Sequence, residues 1–135
     1  MAKELKIVTL LGNNGDPSEY TVADDTAIVK GELMEKKDAS TATKVSGAGV
    51  PIAGIAATDK GALDGTTKMA VITHAVVTAY VLSGGSATLG AYVRSGGADN
   101  SVTVATTLDN ETGKTVGKSE ETGTSEEQID LVMNL

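Results

Sequence analysis

The chain's only histidine, His74, sits between Thr73 and Ala75 in a β-branched run. A catalytic imidazole needs a nucleophile to activate and a carboxylate to orient it. The surrounding strand supplies neither, so His74 reads as a structural residue, hydrogen-bonded in a core or at a subunit contact. Asp24-Asp25 is a candidate carboxylate pair for acid–base work. Adjacent side chains in extended backbone point to opposite faces, so the two do not converge, and a capping or turn role fits better. Asp59, Asp64, Asp99 and Asp109 fall in loops without the spacing of a calcium loop. Gly113-Lys114-Thr115 and Gly117-Lys118-Ser119 echo the end of a phosphate-binding loop, but Leu108 and Thr112 stand where its first glycine is required. Gly47-Ala48-Gly49 fails as a dinucleotide fingerprint because Ile52 occupies the place of the third glycine. Asn110-Glu111-Thr112 fits a glycosylation sequon, and no secretory leader accompanies it. No constellation for catalysis, metal or cofactor binding remains, and the expectation is a protein that is not an enzyme and has no small-molecule substrate.

Composition narrows the partners further. The 135 residues make one domain, long enough to bury roughly two-thirds of the unfolded surface. Cysteine is absent, which excludes disulfides and thiolate metal sites. There is no Trp or Phe, and the three tyrosines are Tyr20, Tyr80 and Tyr92. Base-stacking platforms need more aromatics than that, and a net charge of −7 opposes binding to a phosphate backbone, so nucleic acid is not an expected partner. No apolar stretch is long enough to cross a bilayer, and Met1 to Lys6 carries no apolar leader. The expected product is soluble and made in the cytoplasm.

The elements that must position any surface are β-strands. Val, Ile and Thr number 14, 6 and 18, and side chains so stiff at χ1 suit a pleated surface better than a helix. Strands are expected at 4–11, 19–23, 28–34, 42–45 and 51–57, where Pro51 to Ala57 has the small apolar residues of a strand buried on both sides. The longest run, Lys68 to Leu82, is apolar on both faces, which predicts cover on both sides, from the chain's own core and from either a partner subunit or barrel closure; it is one strand or two joined near Thr78. Further strands are expected at 89–94, 101–106, 116–118 and 128–135, with a loop at 109–115 and a helical turn in the acidic segment 119–127. Spacings near ten residues, with Gly-rich turns between, indicate a sandwich or a barrel.

Charge is unevenly spread. Residues 45–107 hold three basic and three acidic side chains, whereas residues 108–135 hold two lysines against seven acids. A charge-poor middle is either deeply buried or packed on other chains. Residues 1–23 are read as an N-terminal extended arm and 24–135 as the compact β domain. The run from Glu4 to Leu11, set off by the turn cluster Gly12 to Pro17, places Leu5, Ile7, Thr9 and Leu11 on one face. It is either an arm that adds to a sheet edge on a partner or the first strand of the domain's own sheet.

Several segments, in order, carry a family resemblance. They are Ile28-Val29-Lys30-Gly31-Glu32-Leu33, Pro51-Ile52-Ala53-Gly54-Ile55-Ala56-Ala57, the lead-in Asp64 to His74, Gly90-Ala91-Tyr92-Val93, Val116-Gly117-Lys118 and the terminal Ile129 to Leu135. Across residues 26–135 the chain resembles the cement or head-decoration proteins of tailed bacteriophages. The resemblance implies a small single-domain all-β fold, sandwich or barrel and β-tulip-like, with short helical turns and an extended N-terminal segment. It implies a structural virion protein on the outer capsid surface, a homotrimer that clamps neighbouring subunits of the major capsid protein lattice, with no cofactor and no catalytic residue. On that reading Leu5, Ile7, Thr9 and Leu11 meet the capsid, and Ile72, His74, Val76 and Tyr80 form the subunit contact. The other function class is a non-catalytic β-sandwich module for cell-surface carbohydrate, which needs ring faces for sugars and has three tyrosines to supply them.

Overall fold

The computed structural model describes residues 4–10, 18–97 and 100–135. The strands are β1 (Lys6–Leu10), β2 (Ser18–Thr21), β3 (Leu33–Lys36), β4 (Ala42–Lys44), β5 (Ile52–Ala56), β6 (Lys68–Ile72), β7 (His74–Tyr80), β8 (Ser86–Ala87), β9 (Tyr92–Ser95) and β10 (Val102–Val104). One helical turn, α1 (Thr107–Glu111), precedes β11 (Gly117–Ser119), β12 (Gly123–Thr124) and β13 (Gln128–Asn134). A six-stranded sheet runs β1-β7-β13-β11-β9-β10, a five-stranded sheet runs β2-β6-β5-β3-β4, and β12 and β8 make a small ribbon. All these ladders are antiparallel and no sheet closes into a barrel. The fold is all-β, as the β-branched composition requires.

The main core lies between the two large sheets. Ala75, Val77 and Ala79 of β7 and Ile129, Leu131 and Met133 of β13 meet Leu33, Ile52, Ile55 and Ile72 from the five-stranded sheet. Removing one buried Leu or Ile side chain from water contributes about 1.5–3 kcal/mol, so this layer dominates stability. A second core, with Met34, Ala53, Ala56, Met69 and Val71, fills the opposite face of the five-stranded sheet. Val22 and Ile28 cover it, and Ile28 exchanges backbone hydrogen bonds of 3.0 and 2.8 Å with Lys60. The Lys60 ammonium is buried and donates to the carbonyls of Asp24, Thr26 and Gly61 at 2.8–2.9 Å, which ties the covering loops together.

Every residue of β5 is buried, as its small apolar composition predicts. An extra residue in β5 opposite β3 lets Ile52 and Ile55 both face the main core. Gly54 makes this possible: its φ is +147°, and a Cβ there would lie 2.3 Å from the Ile72 carbonyl oxygen.

Several boundaries differ from the sequence reading. The run from Lys68 to Leu82 is two strands, but the break falls at Thr73, and the two halves enter different sheets. The strand expected at 28–34 starts only at Leu33. Gly31 turns the chain at φ +92°, packed so closely on Glu4 and Leu5 that a Cβ would clash at 2.8 Å. The loop expected at 109–115 begins as α1, capped by Thr106 and Asp109. The helical turn expected within 119–127 is instead strand β12. The turn cluster at 12–17 lies outside the described residues. Of residues 1–23, β1 pairs with β7 and β2 with β6, and Leu5 and Tyr20 are buried in the two cores.

Candidate interaction face

The six-stranded sheet has one face on the core and one face outward. β7 alternates strictly, with Ala75, Val77 and Ala79 buried and His74, Val76, Thr78 and Tyr80 half-buried on the outer side. β13 repeats the pattern, burying Ile129, Leu131 and Met133 and turning Gln128, Asp130, Val132 and Asn134 outward. Cross-strand neighbours follow from the register. Val76 opposes Val132, Val132 opposes Lys118, and Lys118 opposes Tyr92, so these four side chains form one row across four strands. Polar pairs flank that row. Thr78 donates to Asp130 at 2.7 Å, and the Gln128 amide donates to the Tyr80 hydroxyl at 2.7 Å. These bonds hold the face rigid and leave the valines between them.

Of the cover expected on both sides of Lys68 to Leu82, β7 has the chain's own core on one side; barrel closure does not supply the other, which leaves the partner-subunit alternative for that face. Its outer side is half-buried, and the strands that flank it in the sheet are β1 and β13. Of the expected subunit-contact residues, His74, Val76 and Tyr80 lie on this open face. Ile72 does not: the break at Thr73 turns it into the main core, where it is 7% exposed. The hydrogen bond expected for His74 is not among those of the described residues; its Cα sits opposite Asn134 in the ladder.

Of the expected capsid-contact residues, Leu5 is 4% exposed in the main core and Ile7 packs against that core. Their side chains follow the domain strand reading, because pairing with β7 directs that face inward. Thr9 pairs by its Cα with Val76, its side chain and the whole of Leu11 lying outside what is described. A bulge in β1 at Val8 leaves that valine 56% exposed at the sheet edge.

At the far end of the same sheet, α1 docks on β9. Asp109 accepts from the backbone N–H and hydroxyl of Thr106 at 3.0 and 2.9 Å, and from Arg94 at 3.0 Å. The Thr106 N–H first, and Arg94 with it, hold the Asp109 carboxyl below its ordinary value. The capping box is Thr106-x-x-Asp109, a signal present in the sequence that the loop reading passed over. Among the described residues no group of three or more His, Cys, Asp or Glu side chains could hold a metal.

These features define the class: an open all-β domain of two large antiparallel sheets and a small ribbon, with one sheet face half-buried among the described residues. No family model matches the chain, and no curated protein matches it. Among solved structures it is similar to the crystal structure of the head fiber gp8.5 N base in bacteriophage phi29. The TM-score is 0.51 at 12% identity, over 87% of this chain and 93% of that chain. At this identity the likeness is one of fold.

Proposed function

We propose that this chain is a structural protein of a tailed-bacteriophage virion, which binds the outer surface of the capsid and holds neighbouring capsid subunits together. The observation that carries the reading is the fold shared, almost end to end, with a phage head-fiber base. The ordered segments from Ile28 to Leu135 that resemble head-decoration proteins point the same way. The role is non-catalytic. The half-buried face of β7 and β13, with Val76 and Val132 at its centre, serves as the contact between copies of the chain in a trimer. Stabilisation follows from mass action: a ligand that binds the assembled lattice and not free subunits shifts the equilibrium toward the lattice, and many equivalent sites add up.

Pelleting tests the proposal. Purified chain mixed with empty, expanded capsids of its phage sediments with them and saturates at a fixed copy number per shell. A chain that stays in the supernatant at every concentration, while binding oligosaccharide or cells, belongs to the carbohydrate-module class instead.

A further inference from the structure

Tyr92 is the most exposed aromatic ring among those described, 49% accessible, while Tyr20 is buried and Tyr80 half-buried. It stands at the end of the row Val76, Val132, Lys118, Tyr92, and it lines two depressions. One, of about 290 Å³, is lined by Tyr92, Thr115, Lys118, Val132 and Asn134 among others. The other, of about 250 Å³, lies between Tyr92, Asn110 and Thr115. None of the side chains of Tyr92, Asn110, Thr115, Lys118 and Asn134 hydrogen-bonds or ion-pairs with another described residue. The groove thus joins one aromatic ring to two amides, a hydroxyl and an ammonium, none of them engaged by another described residue.

From this arrangement we infer that the groove around Tyr92 binds a saccharide. A pyranose has an apolar face of axial C–H groups and a rim of hydroxyls. Tyr92 supplies a ring for the face, with its own hydroxyl as a polar handle. Asn110 and Asn134 offer both donors and acceptors, and Thr115 a hydroxyl, which is the mixed set that sugar hydroxyls need. Volumes just under the usual range of small-ligand pockets, about 300–1,000 Å³, suit one sugar ring in each depression. A phosphate-rich ligand fits less well, because among the described residues Lys118 is the only cation lining either depression and residues 108–135 carry a net −5, two lysines against seven acids. One exposed ring is enough for one stacked sugar, so the scarcity of aromatics does not exclude the site. The groove is centred on Tyr92 at the β9 and α1 end of the sheet and meets the proposed subunit contact at Val132, while Val76, His74 and Tyr80 of that contact lie outside its lining.

The probe is an array of defined neutral and acidic oligosaccharides, followed by saturation-transfer NMR with the best-bound member on the full chain. Binding is expected. Tyr92→Ala lowers the affinity about tenfold or more, Tyr92→Trp retains it, and Leu63→Ala, in a distant exposed loop, leaves it unchanged. Asn134→Ala, on an exposed position, gives the same loss in a background that keeps the tyrosine. An array with no bound member overturns the inference, as does binding that survives Tyr92→Ala. Loss of capsid co-sedimentation in Tyr92→Ala also overturns it, since the groove is then a capsid contact.

Discussion

β5 and β7 are similarly apolar in sequence, Ile52-Ala53-Gly54-Ile55-Ala56 against His74-Ala75-Val76-Val77-Thr78-Ala79-Tyr80, yet among the described residues only β5 is buried on both faces. The second face of β5 is closed by the loops that Lys60 ties together, with Val22 and Ile28 inside them. The second face of β7 has no such cover among the described residues. The difference teaches that an apolar run reports which faces avoid water and not which molecule shields them. Where a loop among the described residues closes the face, it is core; for the outer face of β7 the proposed cover is another copy.

The largest effect separates the two faces of β7 itself. Val77→Asp places an unpaired charge in the main core and abolishes folding, read as loss of a cooperative melting transition. Val76→Asp, one residue away, leaves the monomer folded and prevents self-association, read by sedimentation velocity. If Val76→Asp unfolds as completely as Val77→Asp, the distinction between the faces is broken. Next is the cover over β5. Lys60→Met leaves three carbonyls without their donor and costs about 3 kcal/mol in denaturant unfolding, since hydrogen bonds to charged groups contribute about 1.5–3 kcal/mol each.

A smaller effect is the response to acid. The carboxyl of Asp109 is lowered by the Thr106 N–H and Arg94. At Glu35 burial acts upward, but bonds from Lys37 and Ser46 outweigh it and the net direction is down. Groups lowered in the folded state contribute stability that is fully present above their unfolded values, about 3.9 for Asp and 4.3 for Glu, and lost as pH falls through the folded ones. Melting temperature is therefore expected to be level from pH 7 to about pH 5 and to drop below about pH 4. In Asp109→Asn the drop is shallower, with the melting temperature at neutral pH already reduced. The smallest effect is at His74. With no hydrogen bond to another described residue, His74→Gln changes monomer stability by less than about 0.5 kcal/mol, checked by thermal melting.

The fold class was readable because composition and alternation are local properties. Pro51 to Ala57 announced a doubly buried strand, and the even positions His74, Val76 and Tyr80 announced a face separate from Val77 and Ala79. The break at Thr73 was not readable, since no Gly, Pro or Asn marks it and the β-branched run continues through it. Nor was the turn at Gly31, whose cause is a contact with Glu4 and Leu5, nearly thirty residues away. Leu5 and Ile7 illustrate the same limit, because the alternation of β1 is identical for an arm and for a strand of the domain's own sheet. The groove at Tyr92 escaped notice because Asn110, Thr115, Lys118 and Asn134 come from α1, the segment after it, β11 and β13, and only the sheet order brings them together.

Clamping of capsid subunits is tested most directly by scanning calorimetry of empty, expanded capsids of the parent phage, with and without a saturating amount of the purified chain. The account predicts that the temperature of capsid disruption rises with added protein and reaches a plateau once the sites are filled. A disruption temperature that stays the same at saturation, with the protein melting separately at its own temperature, contradicts it.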